Sequence, residues 1–303
     1  MPLPYHTLDV FTDRRFGGNP LAVVHDADGL DTEAMQTIAR EFNLSETVFI
    51  QKPANPAHSA KIRIFTPGRE LPFAGHPTVG TAILLAELRA PLINGERDAI
   101  IALEQQVGAV RVGVRLKSGQ PPFAEFDAPK RPQKVGLPAA RDRLAEALGL
   151  LPREIGFENH TALRFSVGSS FAYVPVASLE AIGRARIEPA NWAATFPAGE
   201  VDGVYLYTRQ CTHKSSSFHA RMFAPQLGVP EDPATGAAAV GFAGVVHEFD
   251  DLPDGVHKRT IEQGLELGRP SAIVLTLIVE GGKLETVRIG GRAVRVAEGQ
   301  IEV

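Results

Sequence analysis

Arg63-Ile64-Phe65-Thr66-Pro67, followed by Gly75-His76-Pro77-Thr78-Val79-Gly80, is written twice in this chain. The second copy reads Arg221-Met222-Phe223-Ala224-Pro225, followed by Glu231-Asp232-Pro233-Ala234-Thr235-Gly236. The Arg, Phe and Pro positions recur 158 residues apart. Each copy reads as a strand, a Pro/Gly-rich loop, a polar residue before a proline, and a helix of small apolar residues. Those helices run through Thr81-Ala82-Ile83-Leu84-Leu85-Ala86 and Ala237-Ala238-Ala239-Val240-Gly241-Phe242. A period of about half the chain implies two related domains rather than a solenoid. Helices without an evident charged face should be buried. Each half is therefore expected to wrap short strands around one central helix, an α+β fold of two pseudo-symmetric, β-barrel-like domains.

The rest of the chain fits that expectation. Its 303 residues suit two domains. The 29 glycines and 23 prolines favour many short elements. Val110, Val112, Val114 and Leu116 alternate with polar or small residues, the period of a half-wet strand. Strands are expected at 273–279, 286–289 and 293–296, with Gly281-Gly282 and Gly290-Gly291 as turns. Asp31 should cap a helix reaching Phe42, and Gly149 should stop one running over 141–148. The expected domains are 1–122, joined by a last strand at about 290–303, and 123–289. The crossing lies in the proline-bearing stretch 123–138.

Hydrophobic residues make up 44% and charged residues 22%, with net charge −4. Without a basic run, nucleic acid is not an expected partner. No stretch has the length of a membrane span, and the first six residues lack a signal-peptide pattern, so a cytoplasmic address is expected. The single cysteine, Cys211, rules out a disulfide or two-thiol mechanism within one chain. His213 and His219 lack metal-ligand spacing, and Ser215-Ser216-Ser217 lacks a hydrolase nucleophile's surroundings. A small molecule is the expected partner, with no metal and no cofactor.

Three ionisable residues stand out. Glu46 lies between the first helix and an apolar strand, where partial burial would suit a general base. His76 and Asp232 each precede a proline at a helix start and occupy matching places in the repeat. Each also has an ordinary structural role open to it, His76 or Asp232 as a cap with proline at the first helical position. If the halves pack about a pseudo-twofold, these groups and the unpaired N–H groups of two helix N-termini converge on one cleft, a setting for a carboxylate or developing anion.

Asp9-Val10-Phe11-Thr12, Phe16-Gly17-Gly18-Asn19-Pro20-Leu21-Ala22-Val23-Val24, Leu44-Ser45-Glu46-Thr47-Val48-Phe49, Phe73-Ala74-Gly75-His76-Pro77-Thr78 and Glu231-Asp232-Pro233-Ala234-Thr235-Gly236 occur in an order that resembles PhzF-like (phenazine-biosynthesis) proteins across essentially the whole chain. The resemblance implies the diaminopimelate-epimerase-like fold, often as a homodimer. It implies Glu46 as main acid/base, with His76 and Asp232 as polar partners. It also implies substrate contacts from Asn19 and from the backbone of Gly75, Gly236 and Ala237. The implied activity is a cofactor-free proton shift on a small carboxylated metabolite. Epimerases of this fold use a thiol in each domain, where this chain is expected to hold Ala74 and Pro233. Many relatives carry serine at the place of Ala237. A two-base racemase using Glu46 and Asp232, and a non-catalytic metabolite binder, are the alternative readings.

Overall fold

The computed structural model describes residues 2–303. The strands of the first half are β1 (Leu3–Val10), β2 (Asn19–Val24), β3 (Glu46–Gln51), β4 (Ala60–Phe65), β5 (Glu70–Leu71), β6 (Glu96–Gln105), β7 (Gly108–Lys117) and β8 (Gln120–Asp127), with helices α1 (Thr32–Phe42) and α2 (Gly75–Arg89). Next come β9 (Gln133–Lys134), α3 (Arg141–Leu148), β10 (Leu163–Ser166), β11 (Ser170–Pro175), α4 (Leu179–Arg184), α5 (Pro189–Thr195), β12 (Gly203–Thr208), β13 (Phe218–Ala224) and β14 (Val229–Asp232). The chain ends with α6 (Gly236–Phe249), β15 (Gly255–Gln263), β16 (Ser271–Glu280) and β17 (Lys283–Ile301). Two compact units result. One is Met1–Pro129 with Ile289–Val303, the other Lys130–Arg288.

The first unit is a closed eight-stranded barrel. Antiparallel pairs join β1 to β2, β3 to β4, β6 to β7 and β7 to β8, while β2/β3 and β4/β6 are parallel. The end of the chain closes the ring, because β17 pairs with both β8 and β1. Closure leaves no unpaired edge in the ring. Helix α2 contacts β1, β2, β3, β6, β7 and β8, and every residue from Gly75 to Ala86 is buried. Such a helix must be apolar on all sides, which is why the sequence gives it no charged face. Helix α1 is amphipathic instead. Asp31 accepts the Ala34 N–H as its N-cap, and Met35, Ile38 and Ala39 pack with Val24, Phe49 and Phe65.

The second unit repeats the plan. Strands β11/β12 are parallel, β12/β13 antiparallel, β13/β15 parallel and β15/β16 antiparallel. Helix α6 occupies the crossover from β14 to β15, as α2 does from β5 to β6. Phe242 on α6 lies 4.7, 4.9 and 5.6 Å from the rings of Tyr207, Phe218 and Tyr205. The helix fits only because Gly241 lacks a side chain: a Cβ there would sit 1.9 Å from the Tyr173 hydroxyl, which donates to the Ala238 carbonyl.

The repeated arginine has the same task in both copies. Arg63 makes a bidentate pair with Glu70 at 2.7 and 2.6 Å and lies over Phe65. Arg221 makes one with Glu231 at 2.8 and 2.9 Å and lies over Phe223. Each pair ties the short strand before the central helix to the strand carrying the arginine.

One strand expectation is corrected. Residues 283–301 form one continuous strand, so Gly290-Gly291 is not a turn. Neither glycine has positive φ. They are glycines because the neighbours press close: a Cβ on Gly291 would lie 2.3 Å from the Phe11 ring. Gly281-Gly282 is the turn, with φ of 57° and 70°.

Candidate active site

In the first unit, Glu46 opens β3 beside Leu21 of β2. His76 is the second residue of α2 and only 4% exposed. Its Nε2 lies 3.3 Å from Glu46 Oε2. Burial drives the imidazole pKa down to about 3, against a smaller opposing effect from its hydrogen bond to the Pro20 carbonyl. The separation is that of an ion pair, but an imidazole with that pKa is uncharged near neutral pH. Nε2 and Glu46 Oε2 face each other at that distance without the geometry of a hydrogen bond.

Asn19, the first residue of β2, is fully buried. Gly75 opens α2, so its N–H and that of His76 have no acceptor within the helix. Thr78 donates its hydroxyl to the Ala74 carbonyl at 2.8 Å, and Gln105 Nε2 donates to Thr78 Oγ1 at 3.0 Å.

In the second unit, Asp232 ends β14. Tyr205, Met222 and Asp232 are register partners across β12, β13 and β14. The fully buried Tyr205 phenol has its pKa pushed up, first by burial and then by the Asp232 charge. The Thr235 hydroxyl donates to Asp232 Oδ2 through a short contact. Gly236 and Ala237 are the first two residues of α6 and present the N–H groups of its first turn.

Two placements differ from the sequence reading. Helix α2 begins at Gly75 with Ala74 as N-cap, so His76 lies inside the helix rather than capping it. Pro77 fits because the first turn's N–H groups lack helical partners anyway. Helix α6 begins at Gly236 with Thr235 as N-cap, so Asp232 precedes it by four residues and does not cap it. The stretch from the repeated proline to the helix is three residues longer in the second copy. His76 and Asp232 are thus not matching positions. The residue matching Ala74 at the N-cap is Thr235 rather than Pro233, and neither is a thiol. Cys211 lies in the loop after β12 with its pKa pushed up to about 11, by burial and then by Glu262, so its thiol is protonated.

Sequence reasoning missed Thr235, Tyr205, Gln105 and Gln263. A signal existed for the glutamines, which lie 158 residues apart, the same period as Arg63 and Arg221.

His76 predicts a pH dependence. An unfolded histidine protonates near 6.5, whereas the folded one resists to about 3. Protons then favour the unfolded chain, so this residue makes stability fall as pH drops from about 6.5 toward 3, by up to about 1.4 kcal/mol per pH unit. Denaturant unfolding at pH 7, 5 and 4 should show that slope, and His76→Gln should flatten it. Parallel profiles for the two proteins would refute the buried, neutral imidazole.

Comparison with known proteins sets the class. A family profile described as PhzC-PhzF, phenazine biosynthesis-like protein, matches residues 8–299. An uncharacterized isomerase of Mesorhizobium japonicum is 52% identical over 301 residues, covering 98% of each chain. The trans-2,3-dihydro-3-hydroxyanthranilate isomerase of Pseudomonas aeruginosa is 33% identical over 304 residues, also covering 98% of each. Among solved structures, a PhzF-family phenazine biosynthesis protein of Bacillus anthracis superposes over 100% of both chains with TM-score 0.88 and 25% identity. With relatives of these names across its whole length, this chain is an isomerase. It belongs to the PhzC-PhzF family of phenazine biosynthesis-like proteins. No helix among the described residues is long and apolar enough to cross a membrane.

Proposed function

We propose that the protein moves a proton from one carbon to another of a small carboxylated molecule bearing an amino or hydroxyl group, by acid/base catalysis from its own side chains. Glu46 takes the proton from an activated C–H, and the neutral His76 beside it accepts a hydrogen bond from the newly formed acid. The first-turn N–H at Gly75, beside Glu46, offers a donor to a carboxylate or to the charge that develops as the C–H bond breaks, and those at Gly236 and Ala237 in the second unit are further substrate contacts in this reading. Glu46 then returns the proton at the new carbon, with Asp232 as a further polar partner and Asn19 as a substrate contact. No metal or cofactor takes part in this scheme, and dialysis against a chelator should leave the rate unchanged. The reading includes a homodimer in solution, which a monomer mass by light scattering would remove.

The observation that carries this reading is the Glu46 carboxyl 3.3 Å from a buried imidazole that stays uncharged. The relative active on trans-2,3-dihydro-3-hydroxyanthranilate supplies the first substrate to try. Turnover in D₂O, followed by NMR and mass spectrometry, should shift the C–H position in the product and, as far as the proton on Glu46 exchanges with solvent before its return, place deuterium at the new carbon. A panel of small amino and hydroxy acids, run alongside, tests racemisation. Inversion at one centre with deuterium at that same centre would replace this reading with a two-base racemase. Binding of a compound that is released chemically unchanged, with no deuterium incorporated, would replace it with a metabolite binder.

A further inference from the structure

We propose that Gln263 is a positioning residue, one that fixes the Thr235 hydroxyl as a donor to the Asp232 carboxylate; its importance for catalysis rests on the role given to Asp232 above. Gln263 ends β15 and is fully buried. Its Oε1 accepts the Thr235 N–H at 3.3 Å, and its Nε2 donates to the Asp232 backbone carbonyl at 2.8 Å. One partner is only a donor and the other only an acceptor, so the two together allow a single orientation of the amide. In that orientation Nε2 also lies 3.2 Å from Thr235 Oγ1 and donates to it. The hydroxyl is thereby made an acceptor toward Gln263, and its own proton is turned to Asp232 Oδ2.

The turn between them is held from behind as well. Ser271 donates its hydroxyl to the Pro233 carbonyl at 2.9 Å. Gly264, at φ +77°, would bring a Cβ within 2.6 Å of the Pro233 and Arg269 carbonyl oxygens. Residues 232–236 therefore sit against β15 and the loop after it with little room to shift. Gln105 holds Thr78 of α2 in the first unit by the same kind of bond. There, however, the threonine donates to a backbone carbonyl and not to a carboxylate. The charge-directing arrangement is special to the second unit.

Among the ionisable groups near Asp232, the Tyr205 phenol of β12 feels its charge. Arg221 of β13 is paired with Glu231 of β14, and His219 of β13 is held by Glu262 of β15 and Glu266 of the next loop. The first turn of α6 has no acidic residue. A carboxylate bonded by a fixed hydroxyl is favoured in its charged form. An anionic Asp232 of this kind would recognise a substrate amine or hydroxyl as a donor.

The test reads Asp232 itself and needs no substrate. The protein is labelled with carboxyl-¹³C aspartate, the Asp232 signal is assigned by its loss in Asp232→Asn, and its titration is followed by NMR. Thr235→Val should raise the midpoint by about one pH unit, the worth of one hydrogen bond to a charged group. Gln263→Met should raise it in the same direction. In Thr235→Val, adding Gln263→Met should give no further shift, because the glutamine acts through the hydroxyl. An unmoved midpoint in Gln263→Met, or shifts that add in the double variant, would overturn the proposal. A merely structural glutamine would alter stability but leave the titration in place. Amide spectra report folding, and Gln263→Asn, too short to reach Thr235, replaces Gln263→Met if that variant does not fold. Full activity in Asp232→Asn would sink the catalytic role of Asp232 while leaving the titration result standing.

Discussion

Glu46→Gln lowers turnover of the physiological substrate by about 10³-fold or more, within or beyond the 10²–10⁴ commonly supplied by one well-placed acid/base group. Glutamine keeps the shape of the side chain, so β3 and its pairing with Leu21 and Phe65 through Thr47 are undisturbed. It cannot take up a proton. In the native protein the Glu46 carboxyl lies 3.3 Å from the Nε2 of the uncharged His76 ring. The amide puts a neutral group of the same shape beside that uncharged ring, so the variant should fold at least as well as the native chain while losing the reaction. The contrast between stability and rate is the diagnostic. His76→Gln, which removes only the acceptor, should cost less than Glu46→Gln. Steady-state rates on trans-2,3-dihydro-3-hydroxyanthranilate, or on whichever compound exchanges deuterium, make the comparison. Near-native turnover by Glu46→Gln would end the assignment of Glu46 as the acid/base.

Arg221→Met should be the most damaging of the single substitutions for stability. The residue is only 7% exposed and its guanidinium has five partners. Two are the oxygens of Glu231, and three are the carbonyls of Ile182, Gly183 and Ala185, at 2.9, 3.3 and 2.8 Å. Methionine matches the stem but leaves a largely buried carboxylate without its cation and the end of α4 without a donor. Breaking one partner of such a pair costs about 3–5 kcal/mol. The double variant Arg221→Met with Glu231→Met should recover part of that loss, since the stranded charge is then gone as well. Urea denaturation of the native, single and double variants decides it. A single-variant loss below about 1 kcal/mol, the range of exposed pairs, would show that the cluster is solvated. The same change at Arg63, whose side chain is more exposed, should cost less.

The repeated Arg–Phe–Pro pattern made the duplicated architecture and its two buried helices legible, because a helix with no polar side has few places to go. The starting residues of those helices were not legible. A proline tolerates any of the first three helical positions, so Pro77 and Pro233 mark the region of a helix start without marking the residue. At Asp232 the local rule for an aspartate before proline was overridden by partners remote in sequence: Gln263 and Ser271 hold the turn in place and Thr235 takes the cap. Gly290-Gly291 misled for a related reason. A paired glycine reads as a bend when only neighbours in sequence are considered, whereas Phe11 and Phe123, far away in the chain, are what exclude side chains there. Glu46 and His76 could be named separately, but their contact depends on where α2 places its second residue beside β3.

Closing the first barrel with β17 also sets a timetable for synthesis. Residues 130–288 are continuous and can condense as soon as they leave the ribosome, whereas β1 and β8 are made early and must wait for β17. Until then both strands are open edges, the surfaces from which nascent chains pair wrongly with one another. A stop codon a few residues before β17 would leave the ring unsealed for the lifetime of the protein, although every residue of the helix inside it had been made.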